Sequence, residues 1–302
     1  MVLSPGVSRN RIAKQSASTR LAGSLLLRSA FVLLAVIVLA AAPAPAANQS
    51  VPSTDAQLSF LKSARVVSSR PIGKGITGAL RLTLSDGSLT HDAAFQAVNE
   101  ASSAQDLRQG RKRAGEVMFV DSYRYNIAAW EIARLLALDH MMPATVERRH
   151  NGSMGALSWW VDDVLMDESE RERTSANPPA GQHVALARQR QLMQIFAELV
   201  RDTDRNKGNV LYTQDWQLIM LDFTRAFRTQ AQLRSPDNLL GIERTLLTRL
   251  RALTAQDLSK AVGDHLTKPE LSALMQRRDL ILDHYDKLVK QRGEAAVIFE
   301  GS

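Results

Sequence analysis

The sequence predicts an α+β fold with two lobes, a small antiparallel-sheet lobe with one large helix followed by a mostly helical large lobe. Three observations predict it. The turn dipeptides Asp86-Gly87 and Asn151-Gly152 lie between alternating apolar segments and indicate two β-hairpins in the first half of the chain. One helical pattern, at residues 122–138, lies between these hairpins. After residue 183 the apolar residues recur mainly at helical spacing.

Residues 1–46 have the pattern of a signal peptide, which predicts export to the periplasm or the extracellular space. They carry five basic residues and no acidic residue, then the apolar run 30–42 and a small-residue cleavage site at 44–46. That apolar run is shorter than the roughly 20 residues of a spanning helix. The alternative is an uncleaved anchor, which would make the leader the membrane contact of the chain. Residues 47–58 are small and polar and are predicted to form a linker.

The composition after this leader excludes several classes of protein. It leaves 33 basic against 31 acidic residues, and the dense basic run at 108–113 lies in a Gly- and Ser-bearing loop. We therefore expect no nucleic-acid partner. The absence of cysteine excludes disulfides, lipoprotein anchors and thiolate sites. The histidines lack metal-ligand spacing, and no serine has the G-x-S-x-G setting of a hydrolase.

Residues 59–165 are predicted to form the small lobe. Alternating apolar segments and turn signals define its strands, and helical spacing defines its helix. The predicted elements, in order, are a strand at Val66-Val67, a hairpin of 79–84 and 93–98, a helix at 122–138 capped by Asp121 or Ser122, and a hairpin of 144–149 and 154–161.

A glycine-rich loop precedes the second strand of this lobe. Gly73, Gly75 and Gly78 allow a close approach of the backbone to a phosphate. No helix follows, which disfavours the dinucleotide fingerprint and favours a strand-loop-strand that covers a nucleotide. These glycines and Lys74 are therefore predicted to bind the nucleotide.

Residues 166–302 are predicted to form the large lobe. Its first segment, 167–182, is charged and rich in helix breakers and is predicted to be a loop. The next helix has one apolar face, formed by Leu192, Ile195, Phe196, Leu199 and Val200. Three helices follow at 239–253, 255–266 and 268–292, and a Thr267/Glu270 capping box and Gly293 mark the limits of the last one.

Three polar residues of the large lobe have the chemistry and spacing of a phosphoryl-transfer site. Asp204 and Asn209 lie in a polar loop, and Asp222 follows the apolar segment 217–221. The intervening chain is long enough for a short hairpin to return Asp222 to Asn209. Phosphoryl transfer needs an acid near the attacking oxygen and hard oxygen ligands that hold Mg²⁺ on the phosphates. These three side chains could supply all of those groups.

The run Asp-Arg-Asn-Lys-Gly-Asn at 204–209 resembles the D-R-x-x-x-N catalytic loop of phosphatidylinositol 3- and 4-kinases, a branch of the protein-kinase-like fold. Leu-Asp-Phe-Thr at 221–224 resembles their I-D-F-G at the matching spacing. The resemblance implies that Asp204 is the catalytic acid or base, that Asn209 and Asp222 bind Mg²⁺, and that ATP is the nucleotide. Thr224 departs from the final glycine, a variation that HipA-like and lipid-kinase-like bacterial proteins share.

The charged pair that a kinase normally uses to bind the α- and β-phosphates is absent. Gln96 stands where strand three carries a lysine, and Asn126 stands where the small-lobe helix carries a glutamate. Losing both charges avoids a buried unpaired ion, and the two amides could share a hydrogen bond. A helix alignment shifted by one turn would instead make Glu131 the acid. Another cation could bind the phosphates, and the candidates are Lys74, Arg81 and Lys207.

These features predict an exported, ATP- and Mg²⁺-dependent phosphotransferase whose acceptor is a lipid, a protein or a small molecule. Two alternatives remain open at this stage. One is a pseudokinase that binds a ligand or partner without chemistry. The other is a kinase-like enzyme that binds ATP in a flipped pose and transfers AMP.

Overall fold

The computed structural model describes residues 52–73, 78–101 and 120–301. The predicted signal peptide, most of the linker, the basic run at 108–113, Lys74 and Gly75 lie outside these ranges. No helix within them is both long and apolar enough to cross a membrane.

The first helix, Thr54–Ser63 (α1), begins inside the predicted linker, which is therefore wrong from Thr54 onward. Ser53 caps it by accepting the Ala56 N–H. Phe60 and Leu61 are buried, and Arg148 donates to the Leu61 carbonyl at 2.7 Å. The helix is thus held by contacts that lie far away in sequence.

The strands of the first half are short and antiparallel. They are Arg65–Pro71 (β1), Leu80–Ser85 (β2), Thr90–Gln96 (β3), Asn99–Ala101 (β4), Val120–Ser122 (β5), Thr145–His150 (β6) and Ser153–Trp159 (β7). Five of them form one sheet in the order β1-β2-β3-β7-β6, and β4 pairs with β5. Both predicted hairpins are confirmed. Gly87 and Gly152 supply the positive φ angles of +95° and +83° that their turns require.

One helix, Tyr123–Leu135 (α2), packs on this sheet and confirms the predicted small-lobe helix. Its N-cap is Ser122, whose hydroxyl accepts the Arg124 N–H. The buried face includes Asn126, Ile127 and Trp130. A single 3₁₀ turn, Asp139–Met141, follows it.

The second half is mostly helical. It contains Val164–Asp167 (β8), Glu168–Thr174 (α3), His183–Val200 (α4), Val210–Thr213 (β9), Leu218–Met220 (β10), Ile242–Glu243 (β11), Arg244–Ala252 (α5), Ala255–Val262 (α6), Lys268–Arg292 (α7), Glu294–Val297 (α8) and Ile298–Phe299 (β12). The apolar face predicted for the helix before the polar loop is buried in α4. The strands β8, β9 and β10 form a second antiparallel sheet, and β11 pairs parallel with β12.

The structure differs from two predictions in this half, and tertiary contacts explain both differences. The segment 167–182, predicted as a loop, contains α3, in which Glu168 pairs with Arg171 and Arg190 and accepts the Tyr212 hydroxyl. The helix predicted at 239–253 begins only at Arg244, because Ile242 and Glu243 pair with β12. The capping box of Thr267 and Glu270 at the start of α7 is confirmed.

Candidate functional site

The polar loop begins where α4 ends. Arg201 ends the helix in the left-handed conformation, with a φ of 46°. Asp202 is buried, and its carboxylate accepts the Asp204 N–H at 3.0 Å and the Arg205 Nε–H at 2.7 Å. This side-chain turn, which aspartate favours, fixes the direction in which Asp204 leaves the helix.

The predicted hairpin returns Asp222 to Asn209. Met220 on β10 pairs with Val210 on β9, and the Leu221 N–H donates to the Asn209 carbonyl at 2.9 Å. The Asn209 side-chain amide donates to the Asp204 carbonyl at 3.2 Å. Asp204, Asn209 and Asp222 are therefore linked by the backbone of one loop and one hairpin.

Arg205 joins the two motifs. Its guanidinium bonds the Asp202 carboxylate, donates to the Asn209 carbonyl at 3.0 Å and to the Leu221 carbonyl, and lies 4.2 Å over the Phe223 ring. Its side chain is 12% exposed. Because these partners saturate it, Arg205 holds the site together and is not available to a ligand.

Thr224, which stands where kinases usually have a glycine, donates two hydrogen bonds to the carboxylate of Asp222. Asp222 has a φ of 52°, a left-handed conformation that aspartate tolerates better than most residues. Its Oδ1 accepts the Thr224 hydroxyl at 2.8 Å and the Thr224 N–H at 3.2 Å. The Asp222 Oδ2 accepts the Gln96 amide at 3.4 Å, a long bond, so this oxygen is the one presented to a ligand.

A chain of neutral amides replaces the charged pair of a kinase. The Asn126 Nδ2 donates to the Gln96 Oε1 at 2.5 Å, which confirms the hydrogen bond predicted for these two residues. The Asn126 Oδ1 accepts the Phe223 N–H at 2.6 Å. Glu131 pairs instead with Arg134 on the helix surface, so the alignment that placed Asn126 opposite Gln96 is confirmed.

The residues predicted to bind the nucleotide phosphates are dispersed. Gly73 and Gly78 lie in the β1–β2 connection, where Gly78 has a φ of +64° and the Ile72 N–H bonds the Ala79 carbonyl at 2.9 Å. Lys74 and Gly75 lie outside the described residues. Lys207 pairs with Glu172 of α3 and its side chain is 58% exposed. Nucleotide binding by these residues stays a prediction.

Arg81, on β2, is engaged by neighbouring side chains. It pairs with Asp92 at 2.5 Å and lies 3.9 Å over the Trp160 ring. Burial raises the pKa of Asp92, but hydrogen bonds from Thr83 and Arg81 outweigh that effect and lower the pKa below its usual value. The Arg81 charge therefore has its own carboxylate partner.

The oxygen atoms at the site fit a hard divalent cation. Asp222 offers a carboxylate oxygen, and Asn209 offers an amide oxygen whose amide nitrogen is already bonded to Asp204. Across the described residues, no group of three or more His, Asp or Glu side chains could hold a metal. Mg²⁺ is commonly bound by one or two protein oxygens together with substrate phosphates, so a two-ligand site suits it.

Sequence reasoning missed Arg225, which contacts the predicted catalytic acid. Its Nη1 lies 3.2 Å from Asp204 Oδ2 and its Nε lies 3.1 Å from Asp121 Oδ2. Burial lowers the pKa of Arg225, while the Asp121 hydrogen bond and the charges of Asp204 and Asp222 outweigh it and raise the pKa. The one available signal was its position three residues after Asp222, which does not reveal a partner 104 residues away in sequence.

The structure is similar to a solved structure of hydra Fam20 with sugar. The alignment has a TM-score of 0.60 at 18% sequence identity and covers 80% of this chain and 91% of the hydra chain. The chain has a protein-kinase-like fold. No family model matches the sequence, and no curated protein matches it. At this identity the similarity shows the fold alone, and it agrees with the two-lobed fold that the sequence predicted.

Proposed function

We propose that the chain is a phosphotransferase that uses ATP and Mg²⁺ to phosphorylate a hydroxyl group. The observation that carries the proposal is the linkage of Asp204, Asn209 and Asp222 by the Arg205 guanidinium and the β9–β10 hairpin. A carboxylate beside two oxygen ligands is the arrangement that phosphoryl transfer requires. The fold supports the same reading.

The chemistry assigns one role to each side chain. Asn209 and Asp222 would hold Mg²⁺, which neutralises charge on the phosphates when bound. Asp204 accepts the proton of the acceptor hydroxyl as the acceptor oxygen forms a bond to the γ-phosphorus. The bond between that phosphorus and the bridging oxygen breaks, and ADP leaves with the bonding electrons. Asp204 is suited to this role because its side chain is 40% exposed, whereas that of Asp202 is fully buried.

A depression that Asp204 helps to line is where we place a hydroxyl-rich acceptor; Ala197 and Leu239 are among its apolar lining residues. It has a volume of about 530 Å³, and its lining includes Gln194, Thr203, Asp204, Asn206 and Asn238. Hydroxyl and amide side chains bind polyols better than acyl chains. The hydra structure was determined with sugar, so sugars come first in the acceptor panel. The motif resemblance to phosphatidylinositol kinases and HipA-like kinases adds inositol headgroups and protein hydroxyls.

The test measures nucleotide binding and transfer separately. A ligand present at about 100 times its dissociation constant should stabilise the protein by about 2.7 kcal/mol. We expect ATP with Mg²⁺ to raise the melting temperature of the wild-type protein and of D204N, and not that of D222A. Transfer from γ-labelled ATP should fall by about 10²- to 10⁴-fold in D204N. D286A is the matched control, because Asp286 is a surface aspartate that pairs with Arg251.

A binding role without chemistry is the second candidate, and the neutral Gln96–Asn126 pair favours it. In that case ATP would stabilise the protein equally with and without Mg²⁺, and no acceptor would gain label. Transfer of label from α-labelled rather than γ-labelled ATP would identify AMP transfer instead. A wild-type protein that no nucleotide stabilises would contradict both transfer activities and would leave the binding of another ligand or partner as the better interpretation.

A further inference from the structure

The proposed site needs a cation that binds the nucleotide phosphates, and the structure shows which candidate side chains already have other partners. A kinase normally uses the strand-three lysine, whose place Gln96 takes here. Arg81 has Asp92 and Trp160 as partners, and Lys207 has Glu172. Two of the three cations suggested by the sequence are therefore engaged with other side chains.

Arg225 bonds two carboxylates that differ in exposure. Its Nε bonds the Asp121 carboxylate, whose side chain is 5% exposed, whereas its Nη1 reaches the Asp204 carboxylate, whose side chain is 40% exposed. The other oxygen of Asp121 is buried and accepts no hydrogen bond in the described part of the chain. A buried carboxylate with so few donors holds its arginine firmly. The guanidinium is thus anchored at Asp121 and directed toward the catalytic acid.

The contrast with Arg205 distinguishes a ligand-binding arginine from a structural one. Arg205 is 12% exposed and its donors serve one carboxylate and several backbone carbonyls, whereas Arg225 is 33% exposed. Arg225 also lies close enough to Asp222 for that carboxylate to raise its pKa, together with Asp121 and Asp204. A cation that bonds the proposed catalytic acid and lies near a proposed metal ligand is well placed to contact nucleotide phosphates.

We propose that Arg225 is the phosphate-binding cation of this site, and that a nucleotide phosphate replaces Asp204 as the partner of its Nη1. The Nε stays bonded to Asp121 throughout, so a small rotation of the guanidinium suffices. Guanidinium binds phosphate and carboxylate oxygens with similar geometry, which makes the exchange feasible. Release from Arg225 would leave the Asp204 carboxylate free to accept the hydrogen bond of an acceptor hydroxyl. This inference rests on the proposed function, because it requires a nucleotide at the same site.

The test compares nucleotides that differ in their phosphates. Calorimetric titration with ATP, ADP and adenosine, each in the presence of Mg²⁺, is applied to the full-chain wild type, R225M and R225K. R225M is expected to bind ATP and ADP about tenfold or more weakly, since a charge-assisted hydrogen bond is lost, and to bind adenosine as the wild type does. R251M is the matched control, because Arg251 is exposed and pairs with Asp286. It should change the affinity for none of the three nucleotides.

R225K keeps the test valid if R225M fails to fold. Lysine keeps the charge but cannot bridge Asp121 and a phosphate with one planar group, so it should bind ATP more weakly and adenosine normally. Wild-type ATP affinity in a folded R225 variant would overturn the inference and leave the proposed function standing. Equal losses of ATP and adenosine affinity would show a structural role and would also overturn it. A wild type that binds no nucleotide would overturn the proposed function, and the inference with it.

Discussion

At the scale of single residues, Arg277 on α7 shows how the chain supports its candidate catalytic loop. The side chain is fully buried. It donates to the carbonyls of Leu199 at 2.7 Å, Arg228 at 2.9 Å and Gln230 at 2.7 Å. Burial lowers the pKa of Arg277 to about 10, so the group stays protonated at neutral pH. The Arg277 guanidinium therefore joins the end of α4, just before Asp202, to the segment that follows Asp222.

We predict that R277M lowers the free energy of unfolding by about 3 kcal/mol, because it leaves several buried carbonyls without donors. R277K should also destabilise the protein, since one ammonium group cannot match the planar fork of arginine. Urea denaturation measures both changes. R173M is the control, because Arg173 is exposed and pairs with Glu170 on the surface, and its effect should be small. An R277M variant as stable as R173M would contradict the supporting role.

The predictability of the site also differs from residue to residue. Asp204, Asn209 and Asp222 could be found from the sequence because their spacing follows from one loop and one short hairpin. The Gln96–Asn126 hydrogen bond could be predicted because the two amides replace the lysine and the glutamate that pair with each other in a kinase. The contact of Arg225 with Asp121 could not be predicted, because the two residues lie 104 positions apart and no local pattern connects them.

At the scale of elements, the N-terminus of α7 connects the two lobes. Thr267 and Glu270 form its capping box. The same Glu270 carboxylate accepts the hydroxyl of Tyr125 on α2, a short hydrogen bond in a buried setting. Burial, and then the hydrogen bond to Glu270, raise the pKa of Tyr125, so its hydroxyl remains a donor at neutral pH. A local helix signal in the large lobe thus also fixes the helix of the small lobe.

We predict that E270A costs clearly more stability than D257A. Both substitutions remove the acid of a capping box, which costs about 1 kcal/mol. E270A also leaves the buried Tyr125 hydroxyl without its acceptor, a further cost of about 1–3 kcal/mol. Asp257 closes the matching box with Thr254 at the start of α6 and, within the described part of the chain, has its hydrogen bonds to that residue, so D257A is the control. Equal urea midpoints for the two variants would show that the contact with Tyr125 adds nothing.

Elements with strong local signals could be predicted, and those that depend on tertiary contacts could not. Turn dipeptides fixed both hairpins, and a capping box with a glycine fixed the limits of α7. The first residues of α1 are small and polar and gave no helix signal. The helix is stabilised by the burial of Phe60 and Leu61 against residues that are distant in sequence. The helix α3 has no buried residue in the structure, so its sequence has no apolar face to detect, and ion pairs of Glu168 hold it.

At the scale of the whole molecule, residues 51–302 form one compact unit whose core continues from α1 to the C-terminal segment. The lobes share polar bonds as well as this core. The Ser122 N–H donates to the Thr224 carbonyl at 2.9 Å, and Arg249 donates to the Leu135 carbonyl at 3.2 Å. Each of these bonds joins α2 or its cap to the large lobe. The helix that carries Asn126 is therefore positioned by both halves of the chain.

We predict that the protein unfolds in one cooperative transition and that residues 1–165 expressed alone do not fold. Without the large lobe, the Tyr125 hydroxyl and the Asn126 side-chain oxygen Oδ1 would lose the partners that satisfy them, and the part of α2 that packs against α6 would become exposed to water. Scanning calorimetry should show one peak whose calorimetric and van't Hoff enthalpies agree. ATP with Mg²⁺ should move the whole peak, because the proposed site takes Gln96 and Asn126 from one half and Asp204 and Asp222 from the other. Two separate peaks, or a folded fragment of residues 1–165, would show that the lobes are independent.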